Sequence, residues 1–295
     1  MRRVPLPLAL AAIERAGPRY ARLALRIGGR LLPRNVLTFP ARVASLLGAP
    51  LGEEESDRLV EGRLVFLLTR VLLNEILLVH PPAESRRRLA PIGVDGVDRL
   101  EAALDERRGV ILVSGHFGLP PLIRLAVEEF GARVIGVGGE PAHDVDVPVG
   151  GDVWDRARSL YHLRDVLAEN RVCVLLADVA HGRYTEVPFL GERIAVALGA
   201  FGLAQFTRSP LLPAFAVHSQ GTPRFQVDIG RALPVPDRSR AEPPTEAVAG
   251  FVRHYEALAR RYPSHLFGYD ALFASSPDAP RESAGADQRS RSPRS

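Results

Sequence analysis

The chain has 295 residues, a formal net charge of +4 and one cysteine, Cys173. Its basic side chains include no lysine, which excludes a Walker A phosphate loop and Schiff-base chemistry. A lone cysteine excludes an intrachain disulfide framework or cysteine zinc site, and it fits a reducing compartment.

Residues 1–90 read as helical, with Leu and Ala abundant and apolar residues recurring at three and four. Arg15, Arg19, Arg22, Arg26 and Arg30 alternate with Leu8, Leu10, Ile13, Leu23, Leu25 and Ile27. This is a basic amphipathic helix, which either rests on an anionic membrane surface or packs on its own domain. It lacks the uninterrupted apolar centre and cleavage site of a signal peptide. The most apolar stretch, "RLVFLLTRVLLNEILLVH", holds Arg70, Asn74 and Glu75 and is too polar for a membrane span.

From about Arg108 the pattern alternates between strands and helices. "GVILVS" is a strand stopped by Gly115, and "PPLIRLAVEEFG" a helix whose prolines suit a first turn. "ARVIGVG" is the next strand, "DVWDRARSLYHLRDVLAEN" an amphipathic helix, and "RVCVLLAD" a strand apolar enough to be covered on both faces. Cys173 lies in that run and reads as a buried, inert thiol. "TEVPFLGERIAV" is a short strand with a turn, "ALGAFGLAQFTRS" a small-residue helix, and "PLLPAFAVHS" and "RFQVDIG" further strands. "PTEAVAGFVRHYEALARRYP" is the last helix, with a cap expected at Thr245. The tail from Ala274 to Ser295 is rich in Ser, Pro, Arg and Ala and is expected to be disordered. The expected fold is α/β, a mostly parallel sheet flanked by helices and preceded by an N-terminal helical region. The expected division is 1–90 helical, 91–273 α/β and 274–295 tail.

Several chemistries find no motif. Ser114, Ser159 and Ser209 lack the glycines of a nucleophile elbow, "GVGGEP" is not a dinucleotide loop, and the eight histidines show no metal-ligand spacing. Basic charge without a nucleic-acid-binding motif argues against DNA or RNA. His116 remains. It follows a buried-type strand at the edge where open parallel sheets collect ligands, and its ordinary pKa suits a general base.

"GVILVSGHFG" resembles the active-site block of the lysophospholipid acyltransferase superfamily, in particular its lipid A late-acyltransferase branch. "LLADVAHGRYTEVPFLGERIAVALGAFGLAQFTRSPLLPAFAV", the closing "EALARRYPSHLFGYDALF" and the "GVDGVDRLEAAL" helix are similar to further blocks in the same order. The resemblance covers about residues 60–272. It implies a glycerolipid-acyltransferase-like fold in which His116 takes a proton from a lipid hydroxyl or amine. That group attacks an acyl thioester of acyl carrier protein or coenzyme A. The resemblance implies no metal or other cofactor, and a peripheral place on the cytoplasmic side of the membrane. Gly115, Phe117, Gly118, Arg183 and Gly191 fall in the matching blocks as substrate-binding candidates, Arg183 being the best phosphate contact.

One position departs from the pattern. The family's acid, five residues after the histidine, falls on Pro121, and the arginine after the second strand is replaced by "VGGEP". Asp178, at the end of another strand, is the first choice for a substitute. Asp144 and Asp146 are alternatives from a loop, and Glu128 and Glu129 lie too far along their helix. His181–Glu186 and His265–Asp270 repeat the spacing by coincidence. Without a partner acid, a non-catalytic lipid-binding protein on the same fold is the alternative.

Overall fold

The computed structural model describes residues 6–26, 31–89, 91–137, 153–178, 183–219, 224–236 and 244–266. Asp144, Asp146, His181, Asp270 and the tail lie outside the described residues. The chain begins with helices α1 (Leu6–Arg26), α2 (Arg34–Leu37), α3 (Phe39–Leu47), α4 (Glu53–Val79) and α5 (Pro82–Leu89). There follow β1 (Ile92–Asp95), α6 (Val97–Asp105), β2 (Val110–Ser114), α7 (Pro121–Glu129), β3 (Val134–Val137), α8 (Val153–Ala168) and β4 (Val172–Leu176). Then come β5 (Tyr184–Phe189), β6 (Glu192–Ala197), α9 (Gly199–Thr207), β7 (Leu211–His218), β8 (Phe225–Ile229) and α10 (Thr245–Arg261), ending in a 3-10 turn at Pro263–His265.

The main sheet has six strands in the order β1-β8-β7-β2-β4-β3. Every pairing is parallel except β7 with β8. The class is α/β with a mostly parallel, helix-flanked sheet. All five residues of the central strand β2 are buried. On one face Ile111 and Val113 pack with Phe201 of α9 and Phe251 and Tyr255 of α10. On the other, Val110 and Leu112 pack with Leu100, Leu122, Ala126 and Phe66 of α6, α7 and α4. Burial of each large side chain contributes about 1.5–3 kcal/mol, which holds the strand in register.

Three elements differ from the sequence reading. β1 adds an edge strand at Ile92–Asp95, before the point where alternation was expected to begin; four residues are too few for a periodic signal. Thr245 is the first helical residue of α10 and makes no capping hydrogen bond; Pro244 holds the cap position. In β4, Val172 and Cys173 are buried but Val174–Leu176 are half-buried, so this strand is incompletely covered as it nears its carboxyl end. Cys173 is free and buried, and burial pushes its thiol up to about 12, in keeping with an inert role.

The expected amphipathic helix, α1, does pack on the protein. Leu10, Ala21 and Ala24 are buried, and a Cβ at Gly17 would stand 3.0 Å from Val65 Cγ2, so the small residue lets α4 approach. Glu14 accepts from Arg224 at 3.0 Å and pairs with His218 at 3.2 Å, tying α1 to β7 and to the segment preceding β8. Arg15, Arg19, Leu23 and Arg26 remain exposed on the outer face. Among the described residues no helix is long and apolar enough to cross a membrane.

Between β2 and α7 the chain turns through Gly118, which has φ +66°, and a Cβ there would lie 2.0 Å from Ala216 O. Gly118→Ala therefore combines left-handed strain with a backbone clash. We expect it to destabilise the protein by at least about 2 kcal/mol. The check is a lowered midpoint in chemical denaturation with unchanged slope.

Candidate active site

β2 and β4 are neighbours with Ser114 opposite Leu176. The ladder continues as Ala177 N–H donates to Ser114 O at 2.8 Å. Two residues past the paired ends, the same register sets His116 against Asp178. His116 Nδ1 lies 2.8 Å from Asp178 Oδ1, and the His116 backbone N–H donates to Asp178 Oδ2 at 2.5 Å. Tyr255, from the buried face of α10, donates its hydroxyl to Asp178 Oδ2 at 3.2 Å. The Asp178 side chain is fully buried, whereas the His116 side chain is 41% exposed.

This is a buried carboxylate with three donors beneath a half-open imidazole. Satisfying the oxygens offsets the desolvation of the charge. With Nδ1–H donated to Asp178, the neutral ring carries its lone pair on Nε2, which has no protein partner among the described residues. The hydrogen bond that the ring donates to Asp178 raises the imidazole's pKa above its ordinary value of 6.5; partial burial opposes this, the charge of Asp178 adds to it and that of Arg70 opposes it. Burial first, then the Asp178 charge and hydrogen bond, hold the Tyr255 phenol well above its usual range, so it remains a donor.

Gly115 permits the arrangement. A Cβ there would stand 2.7 Å from Asp178 Oδ2 and 3.0 Å from Tyr255 Cε1. The loop is held from its other side by the C-terminal segment: Gly118 N–H donates to His265 O at 3.0 Å, and Phe117 forms a bridge with Leu266. His265 is buried and held neutral, its pKa brought down to about 3 by burial and the neighbouring His218. Its Nε2 accepts the His218 backbone N–H at 3.0 Å, and Arg63 donates to the carbonyls of Ser264 and Leu266 at 3.0 and 2.6 Å.

α7 begins at Pro121 with Pro120 at the cap, as the two prolines predicted. Neither has an N–H. The next amides, Leu122 and Ile123, bond back to Leu119 O and Pro120 O, and Leu119 N–H donates to Ala216 O at 2.8 Å. The first turn of α7 thus supplies no carboxylate and no open amide. Glu128 is bound to Arg86 and Arg124 further along, away from the imidazole.

The remaining sequence candidates fall in different places. Phe117, expected at the substrate, is fully buried against Phe215 and Tyr255 at ring centroid distances of 5.9 and 5.6 Å, so its ring supports the loop from within. Arg183 is exposed at the base of the β5–β6 hairpin, five residues after Asp178. Gly191 forms the hairpin corner with Leu190, at φ 84° and 50°, against Leu46 O and with the Leu190 N–H on Glu256; it does not join the His116 cluster. Tyr255 and Arg70 were not singled out from the sequence as site residues. Tyr255 reads as one more apolar position of an amphipathic helix, and Arg70 as a polar break in a greasy one. A cavity of about 320 Å³, bounded by Arg108, Arg208, Ser209 and Leu233, opens at the opposite ends of β2 and β7, remote from this chemistry.

Among the described residues no cluster of three or more His, Cys, Asp or Glu could hold a metal ion. No protein-family model matches the chain, and no curated protein matches it.

The dyad has a direct signature. Asp178→Asn should lower the midpoint of the His116 ring titration followed by NMR, while Tyr255→Phe should move it less. The folded imidazole's pKa is raised above 6.5, so the pairing stabilises the fold below that value. The contribution fades as pH rises through the folded value. The Asn variant should therefore be relatively weaker in mild acid, with the difference shrinking towards alkaline pH. An unmoved midpoint would refute the pairing.

Proposed function

We propose that this chain is an acyltransferase that moves a fatty acyl group from an acyl thioester to a hydroxyl or amine of a lipid acceptor. The observation that carries this reading is the contact of His116 Nδ1 with the buried Asp178 carboxylate, which leaves Nε2 open. A base on one ring nitrogen and an orienting carboxylate on the other is the arrangement that activates a weak nucleophile. The resemblance of "GVILVSGHFG" and the later blocks to the lipid A late-acyltransferase branch supplies the reaction type. The non-catalytic alternative was motivated by Pro121; Asp178 provides the carboxylate that Pro121 lacks.

In this reaction Nε2 takes the acceptor's proton as the oxygen attacks the thioester carbonyl. The tetrahedral intermediate collapses with cleavage of the carbon–sulfur bond, and the imidazolium returns the proton to the leaving thiolate. The products are an ester, or an amide from an amine, and a free thiol. Asp178 holds the ring and stabilises its cation while the proton is there. The donor is acyl carrier protein or coenzyme A thioester, and Arg183 is offered as a contact for its phosphates. We place the protein peripherally on the cytoplasmic face of a membrane. The outer face of α1 supports this, where Arg15, Arg19 and Arg26 stand among Leu8 and Leu23, which are 62% and 59% exposed.

The test is thiol release from acyl-CoA or acyl carrier protein in the presence of lysophospholipid and glycolipid acceptors. His116→Ala should lower the rate by about a hundred- to ten-thousand-fold. Thiol release that does not change in the alanine variant would overturn the assignment.

A further inference from the structure

Tyr255 is a buried hydroxyl that the proton transfer itself does not use. Its ring sits in a cage of phenylalanines, with centroids 4.6 Å from Phe189, 4.9 Å from Phe215, 5.6 Å from Phe117 and 6.0 Å from Phe251. All five rings are fully buried. Packing in such a cage asks only for an aromatic ring, and a fifth phenylalanine would meet it. A phenol there costs the desolvation of its hydroxyl, which a hydrogen bond must offset. The hydroxyl's partner is Asp178 Oδ2, at 3.2 Å. The three donors to Asp178 differ in origin. The ring Nδ1–H and the backbone N–H both belong to His116, so they travel with the loop. A carboxylate turns readily about its terminal torsion, which is broad and roughly two-fold. Held by those two groups alone, it would follow the loop rather than restrain it. Tyr255 comes instead from α10, and the cage fixes its ring to the core. The ring edge also lies against the loop, since a Cβ at Gly115 would stand 3.0 Å from Tyr255 Cε1. The core thus holds Oδ2 in place, which leaves Oδ1 aimed at the imidazole.

We propose that Tyr255 is a positioning residue of the His116 base: its hydroxyl fixes the rotation of the Asp178 carboxylate, and through it the direction in which His116 presents Nε2. Its part in acyl transfer rests on the acyltransferase reading; the clamp on the carboxylate does not. Tyr255 is fully buried, touches no substrate and keeps its own proton throughout. Its effect falls on the attack step. A base whose direction wavers is aligned with the acceptor for a smaller share of the time. That slows removal of the acceptor's proton and leaves the binding of donor and acceptor untouched.

The experiment compares wild type, Tyr255→Phe and Phe251→Leu in two readouts. Phe251 lines the same cage from the same helix and has no polar group to offer Asp178, so its variant is the packing control. The first readout is the His116 Nδ1–H line in proton NMR, which requires no acyl transfer. A proton held between Nδ1 and a fixed carboxylate gives a downfield line protected from exchange with water. Tyr255→Phe should broaden or abolish that line while the protein stays folded. Phe251→Leu should keep it although the protein unfolds at lower denaturant. The second readout is thiol release. In Tyr255→Phe, kcat should fall about ten- to a hundredfold with KM unchanged. In Phe251→Leu both should stay near wild type. An unaltered line in Tyr255→Phe, its absence from wild type, or an equal loss in both variants overturns the proposal. A Tyr255→Phe defect that appears in KM with kcat kept also overturns it. If wild type releases no thiol from any acyl donor, the acyltransferase reading fails and the Nδ1–H line alone decides the clamp.

Discussion

The parallel register between β2 and β4 is the constraint on which the site depends. Adjacent strands lie about 4.8 Å apart with like faces aligned, so a side chain as short as aspartate can span the gap at matched positions. Ser114 faces Leu176, and the step two residues on delivers Asp178 to both the ring and the amide of His116. A slip of one residue would turn Asp178 to the opposite face. The register is set by the apolar strand interiors, where Val110–Ser114, Val172 and Cys173 are buried. The dyad itself, with its ring 41% exposed, adds little to stability. Packing spread along two strands positions a pair that could not position itself.

Placing the carboxylate on a strand end changes what the following helix must provide. In the resembled family the acid sits in that helix's first turn. Here the turn is built from Pro120 and Pro121, whose fixed φ suits it and whose missing amides remove two donors that would otherwise need partners. The burden moves to Asp178, a fully buried charge that must find donors to be tolerable. It finds them in the His116 ring, the His116 amide and the Tyr255 hydroxyl. α10 thus supplies, through Tyr255, the third hydrogen bond that a carboxylate nearer solvent would take from water.

Much of this was legible in the sequence because it is local or periodic. Asp178 stood first among substitute acids because it ends a strand that can neighbour the His116 strand and matches an aspartate of the resembled family, and the register of β2 with β4 places it beside the ring. The prolines marked the start of α7, and the lone thiol in an apolar run marked its burial. What escaped was long-range or short. β1 has four residues and pairs with β8, far along the chain, so it carries no pattern of its own. Phe117 stood beside His116 in sequence and was read as a substrate contact, yet alternation about the loop turns its ring into the core. Tyr255 and Arg70 lie on helices whose faces cannot be oriented until the sheet is in place, so proximity to His116 leaves no trace in their spacing.

The loop between β2 and α7 is fixed from both sides. From the sheet, Asp178 and Ala216 take the amides of His116 and Leu119; from α4 and the C-terminal turn, His265 takes the amide of Gly118. These bonds tie three distant segments of the chain to three residues of the Gly115–Leu119 loop, with Phe117 buried as the central anchor. A loop held in this way has no amide left at those three positions to stabilise a developing oxyanion. The Nε2 of His116 is then the polar atom that this loop offers outward, and its basicity reflects a balance. Asp178 raises it, while desolvation and Arg70 lower it. The fold thus holds one imidazole rigidly, with its basicity set by groups from β4 and α4 on the two sides of the loop.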